Sequence, residues 1–280
     1  MTPPHDQLQA ALKRFGLCDP VRIAETGAAQ VFRVTRRSGD PAALKLFTRG
    51  DMGNETGAVA FLKAWDGKRA VRVLDHSSDA LVMEWAEGPL LGDMARQVQN
   101  AAADETLAQV ATRLHRTWVT LPDAPRLDTW IAPLFDLRFA SDCDRPLRRD
   151  MERAAAMARS LLPPSEDWRI LHGDLHHDNV IVTSDGPVAI DPKGILGDPA
   201  FELANAFRHP RGSQVPLADG GLIAKRVELW SAALDVPARR LLQWAAVKCA
   251  LSIAWRAKGS LDRDPEGPLL SALISTTHPS

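Results

Sequence analysis

A chain of 280 residues is long enough to form one large domain or two lobes around a sizeable core. Its apolar content of 45% and charged content of 25% are ordinary for a soluble globular enzyme, and a net charge of −1 offers no general attraction to nucleic acid or membranes. Cys18, Cys143 and Cys249 are far apart and form no CxxC pair, which predicts free thiols in a reducing cytoplasm. Residues 1–15 contain no signal-like apolar run and no stretch approaches membrane-spanning length, so we expect a cytoplasmic protein without a membrane or nucleic-acid partner.

The first part of the chain predicts a small antiparallel sheet with one helix beside it. Residues 5–15 carry apolar side chains at helical spacing, and a second amphipathic helix is predicted from Glu55 to Trp65. The five predicted strands cover residues 21–23, 31–34, 42–47, 70–74 and 80–85. The last strand runs into a polar stretch that contains Gly88 and Pro89, so we place the end of an N-terminal lobe at residue 86.

After Leu90 the apolar periodicity becomes helical. Helices are predicted over residues 104–119, 131–140, 145–161, 222–234 and 238–258. The apolar face of the first of these bears Leu107, Val110, Leu114 and Trp118. The last two carry Trp230, Trp244 and Trp255 as expected core anchors. A mostly helical C-terminal lobe over residues 87–280 then gives an α+β, bilobal architecture.

The most informative stretch is ILHGDLHHDNVIVTSDGPVAIDPKGILGDPAF, at residues 170–201. It turns from apolar to polar at His172, then carries Asp174 and, five residues later, Asn179. Two β-branched runs around an Asp-Gly turn predict a hairpin that ends at Asp191. Folding this hairpin would bring Asn179 and Asp191 side by side, with Asp174 facing them across the loop. A segment that opens at Asp198, beyond this hairpin, is predicted to be helical.

These residue types suit phosphoryl transfer. An aspartate can orient a hydroxyl and accept its proton, while an amide oxygen and a second carboxylate are hard ligands for Mg²⁺. His172-Gly173-Asp174 stands where protein kinases have His-Arg-Asp, and residues 191–194 stand where they have Asp-Phe-Gly. The missing arginine argues against phospho-switching, and the short segment from Asp191 to Asp198 leaves no room for a long activation loop. A protein kinase is therefore disfavoured.

The pattern HGDxxxxN followed by IDPKG resembles the aminoglycoside phosphotransferase family, and most closely its streptomycin 6-kinase and hydroxyurea kinase branch. The resemblance covers most of the chain and implies a bilobal protein-kinase-like fold that binds ATP and Mg²⁺ between a small β-rich lobe and a larger helical lobe. It implies that Asp174 is the catalytic base and that Asn179 and Asp191 hold Mg²⁺. The implied enzyme transfers a phosphoryl group from ATP to a hydroxyl of a small molecule.

The resemblance also implies nucleotide contacts in the N-terminal lobe. The residues concerned are Gly27, Ala28, Gln30, Lys45, Glu55, Glu84 and Ala86. The small-residue turn at residues 27–30 would cover the phosphates, although an ordinary hairpin turn would look similar. Lys45 would contact the phosphates and pair with Glu55. The backbone carbonyl of Glu84 and the backbone amide of Ala86 would bind the adenine edge.

The acceptor suggested by the resemblance is streptomycin, whose guanidinium groups would suit an acidic pocket. Asp198 and Glu202 are candidate substrate contacts, although Asp198 could equally be a helix N-cap. Hydroxyurea or another small alcohol is an alternative within the same class. A nucleotide-binding pseudokinase is the alternative from another class, and the presence of the base, the metal ligands and the phosphate lysine argues against it. We expect a monomer.

Two further features have competing interpretations. His172, His176 and His177 form a histidine cluster that could suggest zinc, but histidines that brace a catalytic loop explain them better. Lys193 follows the expected metal ligand closely and would either neutralise phosphate charge or lie on the surface.

Overall fold

A computed structural model describes residues 5–97 and 101–277, and its first part is a five-stranded antiparallel sheet with two helices. These elements are α1 (His5–Phe15), β1 (Leu17–Glu25), β2 (Ala29–Arg36), β3 (Pro41–Phe47), α2 (Ala58–Trp65), β4 (Val73–His76) and β5 (Ala80–Glu84). The strands are arranged in the order β1-β2-β3-β5-β4. The five predicted strands and both predicted helices are therefore confirmed, with shifts of a few residues at their ends.

Both faces of this sheet are covered because its strands alternate between two apolar surfaces. One surface packs Leu44 and Leu46 of β3 against Leu12 of α1. The other surface belongs to the main core, which includes Phe61 and Leu62 of α2, both fully buried. Burying a large apolar side chain contributes roughly 1.5–3 kcal/mol. The two helices therefore hold the sheet from opposite sides, and α2 fixes the sheet to the rest of the molecule.

The remainder of the described chain is mostly helical. Its elements are α3 (Leu91–Gln97), α4 (Ala101–His115), α5 (Leu127–Trp130), β6 (Arg138–Phe139), α6 (Arg145–Leu161), β7 (Arg169–Leu171), β8 (Val180–Thr183), β9 (Gly186–Ala189), β10 (Ile195–Gly197), α7 (Gly220–Leu234), α8 (Ala238–Ala257), β11 (Ser260–Leu261) and α9 (Gly267–Thr277). The predicted hairpin is the β8–β9 pair, and the predicted helices at 145–161, 222–234 and 238–258 are α6, α7 and α8. Within the described ranges, no helix is both long and apolar enough to cross a membrane.

Two helix predictions in this part are wrong in whole or in part. Residues 131–140 do not form a helix, because Pro133 lies in a 3₁₀ turn over Ala132–Leu134 and β6 then pairs in parallel with β11. This long-range pairing, rather than local periodicity, decides the conformation. Helix α4 ends at His115, so Trp118 lies beyond it and is 66% exposed instead of on the apolar face.

The segment after β10 also differs from its prediction. Instead of one helix opening at Asp198, the chain forms two 3₁₀ turns over Pro199–Phe201 and Ala204–Arg208. Asp198 caps the first turn by accepting a 2.9 Å hydrogen bond from the backbone of Ala200. Of the predicted tryptophan anchors, two are fully buried, but Trp255 is 36% exposed, so it is only in part a core residue.

Asp104 connects three elements around the segment between β7 and β8. Its Oδ1 accepts a 2.8 Å hydrogen bond from His177 Nε2, and its Oδ2 accepts one of 3.1 Å from Arg226 Nε. Its backbone carbonyl accepts a further hydrogen bond from Trp230 Nε1. Burial raises the pKa of Asp104, but the hydrogen bond from His177 and the charge of Arg226 outweigh burial, and the net pKa is lowered.

We expect Asp104→Asn to lower the free energy of unfolding by roughly 3 kcal/mol, because it leaves Arg226 buried without its counter-ion. A carboxylate whose pKa is lower in the folded than in the unfolded state stabilises the fold at pH values above the unfolded-state pKa. This contribution is lost as the pH falls below about 5. Urea unfolding at several pH values should therefore show a steeper loss of stability on acidification in the unchanged protein than in the variant. Glu105→Gln, an exposed neighbour on α4, is the control. Equal acid sensitivity of Asp104→Asn and the unchanged protein would contradict this assignment.

Candidate active site

The catalytic loop is the segment that leaves β7 at His172, and it is held from two sides. The backbone amides of His172 and Gly173 donate hydrogen bonds of 3.1 and 3.2 Å to the carboxylate of Glu202. The ring of His172 contacts the carbonyl of Ile190 at 2.8 Å, and the amide of Lys193 donates to the carbonyl of His172 at 2.7 Å. The loop is thus fixed both to the 3₁₀ turns behind it and to the segment after β9.

Gly173 is required by the shape of this loop. Its φ of +79° lies in the left-handed region, and an added Cβ would approach Ile195 Cγ1 to 2.9 Å. An arginine, which protein kinases have at the corresponding position, would therefore meet both backbone strain and a steric clash.

Asp174 follows directly and has two differently occupied oxygens. Its Oδ1 accepts a 2.8 Å hydrogen bond from Asn205 Nδ2 and lies 3.8 Å from Lys248 Nζ. Its Oδ2 lies 3.9 Å from Lys193 Nζ, beyond hydrogen-bonding distance. Burial raises the pKa of Asp174, but the charges of Lys248 and Lys193 lower it far more, so the carboxylate is ionised at neutral pH. It can therefore accept a proton, and Oδ2 is the oxygen available for this.

Asn179 and Asp191 are brought together by the register of the hairpin. Val180 of β8 pairs with Ala189 of β9, and the amide of Ile190 donates to the carbonyl of Asn179 at 2.9 Å. The Asn179 Nδ2 donates to the carbonyl of Asp174 at 2.9 Å, which leaves its Oδ1 as a ligand atom. An amide oxygen beside a carboxylate is a suitable donor pair for Mg²⁺, so these two side chains fit the metal that the sequence predicts.

A network of buried charges lies beside this pair. Lys45 of β3 contacts both Glu55 and Asp191, and Lys193 Nζ contacts Glu55 Oε1 at 2.9 Å. Lys45, Glu55 and Lys193 are each less than one-tenth exposed. Burial lowers the pKa of Lys193, but the carboxylates of Asp191, Asp174 and Glu55 raise it above its usual value. The surface alternative for Lys193 is therefore wrong. These two lysines, with Glu55 and Asp191, thus connect three parts of the chain: β3, the turn before α2, and the segment after β9.

Glu55 lies on a 3₁₀ turn over Gly53–Glu55, and α2 begins only at Ala58. Gly57, between them, packs directly against the chain after Asp191. A Cβ at Gly57 would lie 2.5 Å from the carbonyl oxygens of both Lys193 and Gly194. This close backbone approach is what sets Glu55 within reach of the two lysines.

We expect Gly57→Ala to push α2 away from this segment and to lower the free energy of unfolding by about 1–3 kcal/mol, as overpacking does. Nucleotide binding should weaken as well, because Glu55 moves with the turn. Thermal unfolding and nucleotide titration would measure both effects. Gly220→Ala is the control, since its Cβ meets nothing within 4 Å. Unchanged stability of Gly57→Ala would show that α2 can shift without cost.

Gly27, Ala28 and Gln30 are predicted to lie together in the turn that covers the phosphates. Gly27 and Ala28 form the β1–β2 turn, where their carbonyls accept hydrogen bonds from Thr48 Oγ1 at 3.2 and 3.1 Å. Gln30 lies on β2 rather than in the turn, is 3% exposed, and donates to Glu25 Oε1 at 3.0 Å. The structure therefore does not bring the Gln30 side chain to the turn.

Glu84 is the last residue of β5, and its side chain accepts a 2.8 Å hydrogen bond from the backbone amide of Arg72. Ala86 lies two residues later in the irregular segment that joins the sheet to α3. The lobe boundary predicted at residue 86 falls in this segment, and both the boundary and the two backbone adenine contacts remain proposals.

Asp198 and Glu202, the two candidate substrate contacts, are 2% and 1% exposed, and their carboxylates are used inside the protein. Asp198 Oδ2 accepts from Arg240 Nε at 2.6 Å and from Trp244 Nε1 at 2.7 Å. Glu202 supports the catalytic loop and also contacts His115 Nε2 at 2.9 Å. We therefore assign Asp198 to capping and Glu202 to bracing, and carry neither forward as a substrate contact.

The loop histidines point to separate partners. His172 contacts the carbonyl of Ile190, His177 contacts Asp104, and His176 stacks on His209 with ring centroids 3.7 Å apart. The three loop histidines therefore share no common ligand position, and their contacts fit the bracing interpretation. Among the described residues, only His176 of the three belongs to a group of potential metal ligands, with Asp178 and His209, whose ligand atoms all lie within 4.8 Å of one another.

The β-rich part, the helical part and this cluster of lysine, glutamate, aspartate and asparagine define a phosphotransferase with a protein-kinase-like fold. The chain belongs to the aminoglycoside/hydroxyurea antibiotic resistance kinase family, whose sequence model matches residues 14–259. The family resemblance read from the motifs is thus confirmed.

Relatives by sequence agree with this membership, and a solved structure agrees with the fold. The chain is 37% identical over 228 residues to a streptomycin 3''-kinase of Klebsiella pneumoniae, and the aligned region covers 78% of this chain and 81% of that protein. It is 31% identical over 261 residues to a streptomycin 6-kinase of Streptomyces griseus, with 89% and 80% covered. A crystal structure of a mutant aminoglycoside phosphotransferase in a ternary complex with ADP and hygromycin B superposes with a TM-score of 0.65 at 12% identity, over 97% of this chain and 98% of that chain. The predicted bilobal kinase-like fold is therefore confirmed.

Proposed function

We propose that this protein transfers the γ-phosphoryl group of ATP to a hydroxyl group of a small molecule, in a reaction that requires Mg²⁺. The observation that carries the proposal is the convergence of an ionised Asp174, the Asn179–Asp191 oxygen pair and the Lys45–Glu55 pair in one cluster. Each provides a part that phosphoryl transfer needs: a base, metal ligands and a phosphate-binding cation.

In the proposed reaction the acceptor oxygen forms a bond to the γ-phosphorus while the bond to the bridging oxygen breaks, so ADP leaves. The hydroxyl proton goes to Asp174 Oδ2. Asn179 and Asp191 would hold Mg²⁺, which would neutralise phosphate charge. Because little covalent chemistry falls to the protein, positioning and electrostatic stabilisation would supply most of the acceleration.

Streptomycin is the first acceptor to test, because relatives that span most of this chain are streptomycin kinases. A cavity of about 520 Å³ between α4 and α7 is lined by Glu105 and Asp219 and also by Lys225 and Arg226. The two carboxylates could bind a cationic part of such a molecule. Pro210 lines this cavity and follows His209, which stacks on the loop residue His176. Hydroxyurea or another small alcohol is the alternative within the same class.

A catalytically inactive, nucleotide-binding module is disfavoured by the same cluster. A pseudokinase typically lacks the base, a metal ligand or the phosphate lysine. Here Lys45, Asp174, Asn179 and Asp191 are all present. Lys193, which lies 2.9 Å from Glu55 and 3.9 Å from Asp174, links the two groups that they form.

The test is ATP consumption by the purified protein with and without Mg²⁺ and streptomycin, together with mass spectrometry of the antibiotic. We expect Mg²⁺-dependent turnover and the mass gain of one phosphoryl group on streptomycin. Mg²⁺-dependent ATP binding without modification of streptomycin would retain the kinase assignment and redirect the search to other alcohols. No nucleotide binding at all would overturn the proposed function.

A further inference from the structure

Lys248 lies in the middle of α8, and its ammonium group is buried beside the proposed base. The residue is only 2% exposed, and its Nζ lies 3.8 Å from Asp174 Oδ1. The rings of Trp130 and Trp255 enclose the same group, with centroids 5.0 and 4.8 Å from Nζ. One carboxylate and two aromatic rings therefore form the surroundings of this cation.

The ammonium group lies over two aromatic rings and makes no hydrogen bond to an oxygen of the described residues, so part of its donor capacity is unused. Among residues 5–97 and 101–277, Lys248 Nζ makes no hydrogen bond, because the 3.8 Å to Asp174 exceeds hydrogen-bonding distance. The Oδ1 atom that it faces already accepts a hydrogen bond from Asn205. Buried charged groups are normally paired and hydrogen-bonded, since an unsatisfied one is costly. A donor left over next to the reacting site is therefore available to a ligand.

We infer that Lys248 is a specificity residue whose ammonium donates a hydrogen bond to an oxygen next to the hydroxyl that is phosphorylated, so that the acceptor presents a vicinal diol to Asp174. This inference rests on the proposed function, because it places the reacting hydroxyl at Asp174 Oδ2. An oxygen on the carbon next to the reacting one would then lie near Asp174 Oδ1, the side of the carboxylate that faces Lys248 and Asn205. An amine or guanidinium group at that place would face a buried cation.

The charges around Lys248 favour oxygen over nitrogen at this position. Asp174 from the catalytic loop, Lys193 after β9, Arg208 from the 3₁₀ turn and Glu266 before α9 act on it. Burial lowers the pKa of Lys248, Asp174 raises it, Arg208 and Lys193 lower it further, and the net pKa is about 8. The lysine is thus mostly charged at neutral pH. Lys193 and Arg208 are each hydrogen-bonded to a carboxylate of their own, Glu55 and Glu266. Lys248 is not, so a second cation beside it would meet like-charge repulsion.

This inference also constrains how streptomycin would bind. Its guanidinium groups would have to lie away from Lys248, towards the cavity lined by Glu105 and Asp219. Its hydroxyl groups would face Asp174 and Lys248. The carboxylates of Glu105 and Asp219 and the ammonium group of Lys248 would then bind different parts of one molecule.

Three matched probes test the inference: cyclohexanol, a cyclohexane vicinal diol and the corresponding vicinal amino alcohol, each offered with ATP and Mg²⁺. We expect kcat/KM for the diol to exceed that for the amino alcohol by about tenfold or more, the effect of one hydrogen bond to a charged group. Lys248→Met should remove this preference and leave nucleotide binding unchanged. Lys13→Met, an exposed lysine on α1, should retain it.

The pH profile gives a second readout that a merely structural lysine would not change. With the diol, kcat/KM of the unchanged protein should fall as the pH rises through about 8, where Lys248 loses its proton. This alkaline decrease should be absent in Lys248→Met.

The wild-type preference decides the question even if Lys248→Met does not fold. Equal use of the diol and the amino alcohol, preference for the amino alcohol, or ATP hydrolysis without transfer to any probe would overturn the inference. A diol preference that persists in a folded Lys248→Met would do the same. If the protein neither hydrolyses ATP nor binds nucleotide in the presence of Mg²⁺, the proposed function, on which this inference rests, would be overturned instead.

Discussion

Asp174→Asn should reduce phosphoryl transfer by roughly 10²–10⁴-fold, the range that a general base contributes. The amide that replaces the carboxylate has nearly the same shape and can still accept the hydrogen bond that Asn205 now donates to Oδ1. It cannot take a proton from an acceptor hydroxyl. The substitution leaves the shape nearly unchanged but removes the carboxylate that faces buried Lys248, so we expect the fold to persist with lower stability. The loss of transfer should be larger than this loss of stability explains.

Nucleotide binding separates this role from a general loss of structure. Lys45, Glu55 and Asp191 contact one another without Asp174, so the affinity for ATP with Mg²⁺ should remain close to that of the unchanged protein. Steady-state transfer and nucleotide titration on the same preparation would measure both. Asp185→Asn, on the exposed β8–β9 turn, is the matched control. Transfer by Asp174→Asn at the rate of the unchanged protein would show that another group is the base.

The part of the site that could be predicted from the sequence lies in one continuous stretch. Asp174, Asn179 and Asp191 are separated only by a short loop and a hairpin, whose register is set by its own turn and apolar pattern. The pairing of Lys45 with Glu55 required the family resemblance as well, because the two residues lie on separate elements. The strands and helices could likewise be predicted wherever their apolar residues recur at a regular strand or helix spacing.

The remaining residues could not be predicted because tertiary packing brings them to the loop. Asn205 and Glu202 reach it only because the predicted helix is replaced by two 3₁₀ turns that direct these side chains towards the catalytic loop. Lys248 did leave a signal. In the run WAAVKCALSIAW it is surrounded by apolar residues, and a lysine in a helix that is apolar on all sides cannot reach water and must find a partner inside.

The second large effect is expected for Asp191→Asn, which should reduce turnover by about 10²–10³-fold, as the loss of one electrostatic group at the reacting phosphate does. Asp191 has a φ of 63°, in the left-handed region, which asparagine tolerates better than most residues. The backbone at the strand end should therefore persist, whereas alanine would add strain. The variant removes a negative charge that both attracts Mg²⁺ and neutralises Lys45 and Lys193.

The dependence on Mg²⁺ distinguishes a metal ligand from a simple partner of the lysines. If Asp191 holds the ion, the Mg²⁺ concentration that gives half-maximal turnover should rise in Asp191→Asn, and chelation should abolish activity in both proteins. Asp66→Asn is the matched control, because Asp66 is also left-handed, with a φ of 43°, but its side chain is exposed. If Asp191→Asn is slow but needs no more Mg²⁺ than the unchanged protein, Asp191 is the counter-ion of Lys45 and not a metal ligand. The same titration would then test Asn179→Ala, since the Mg²⁺ requirement must follow whichever oxygen holds the ion.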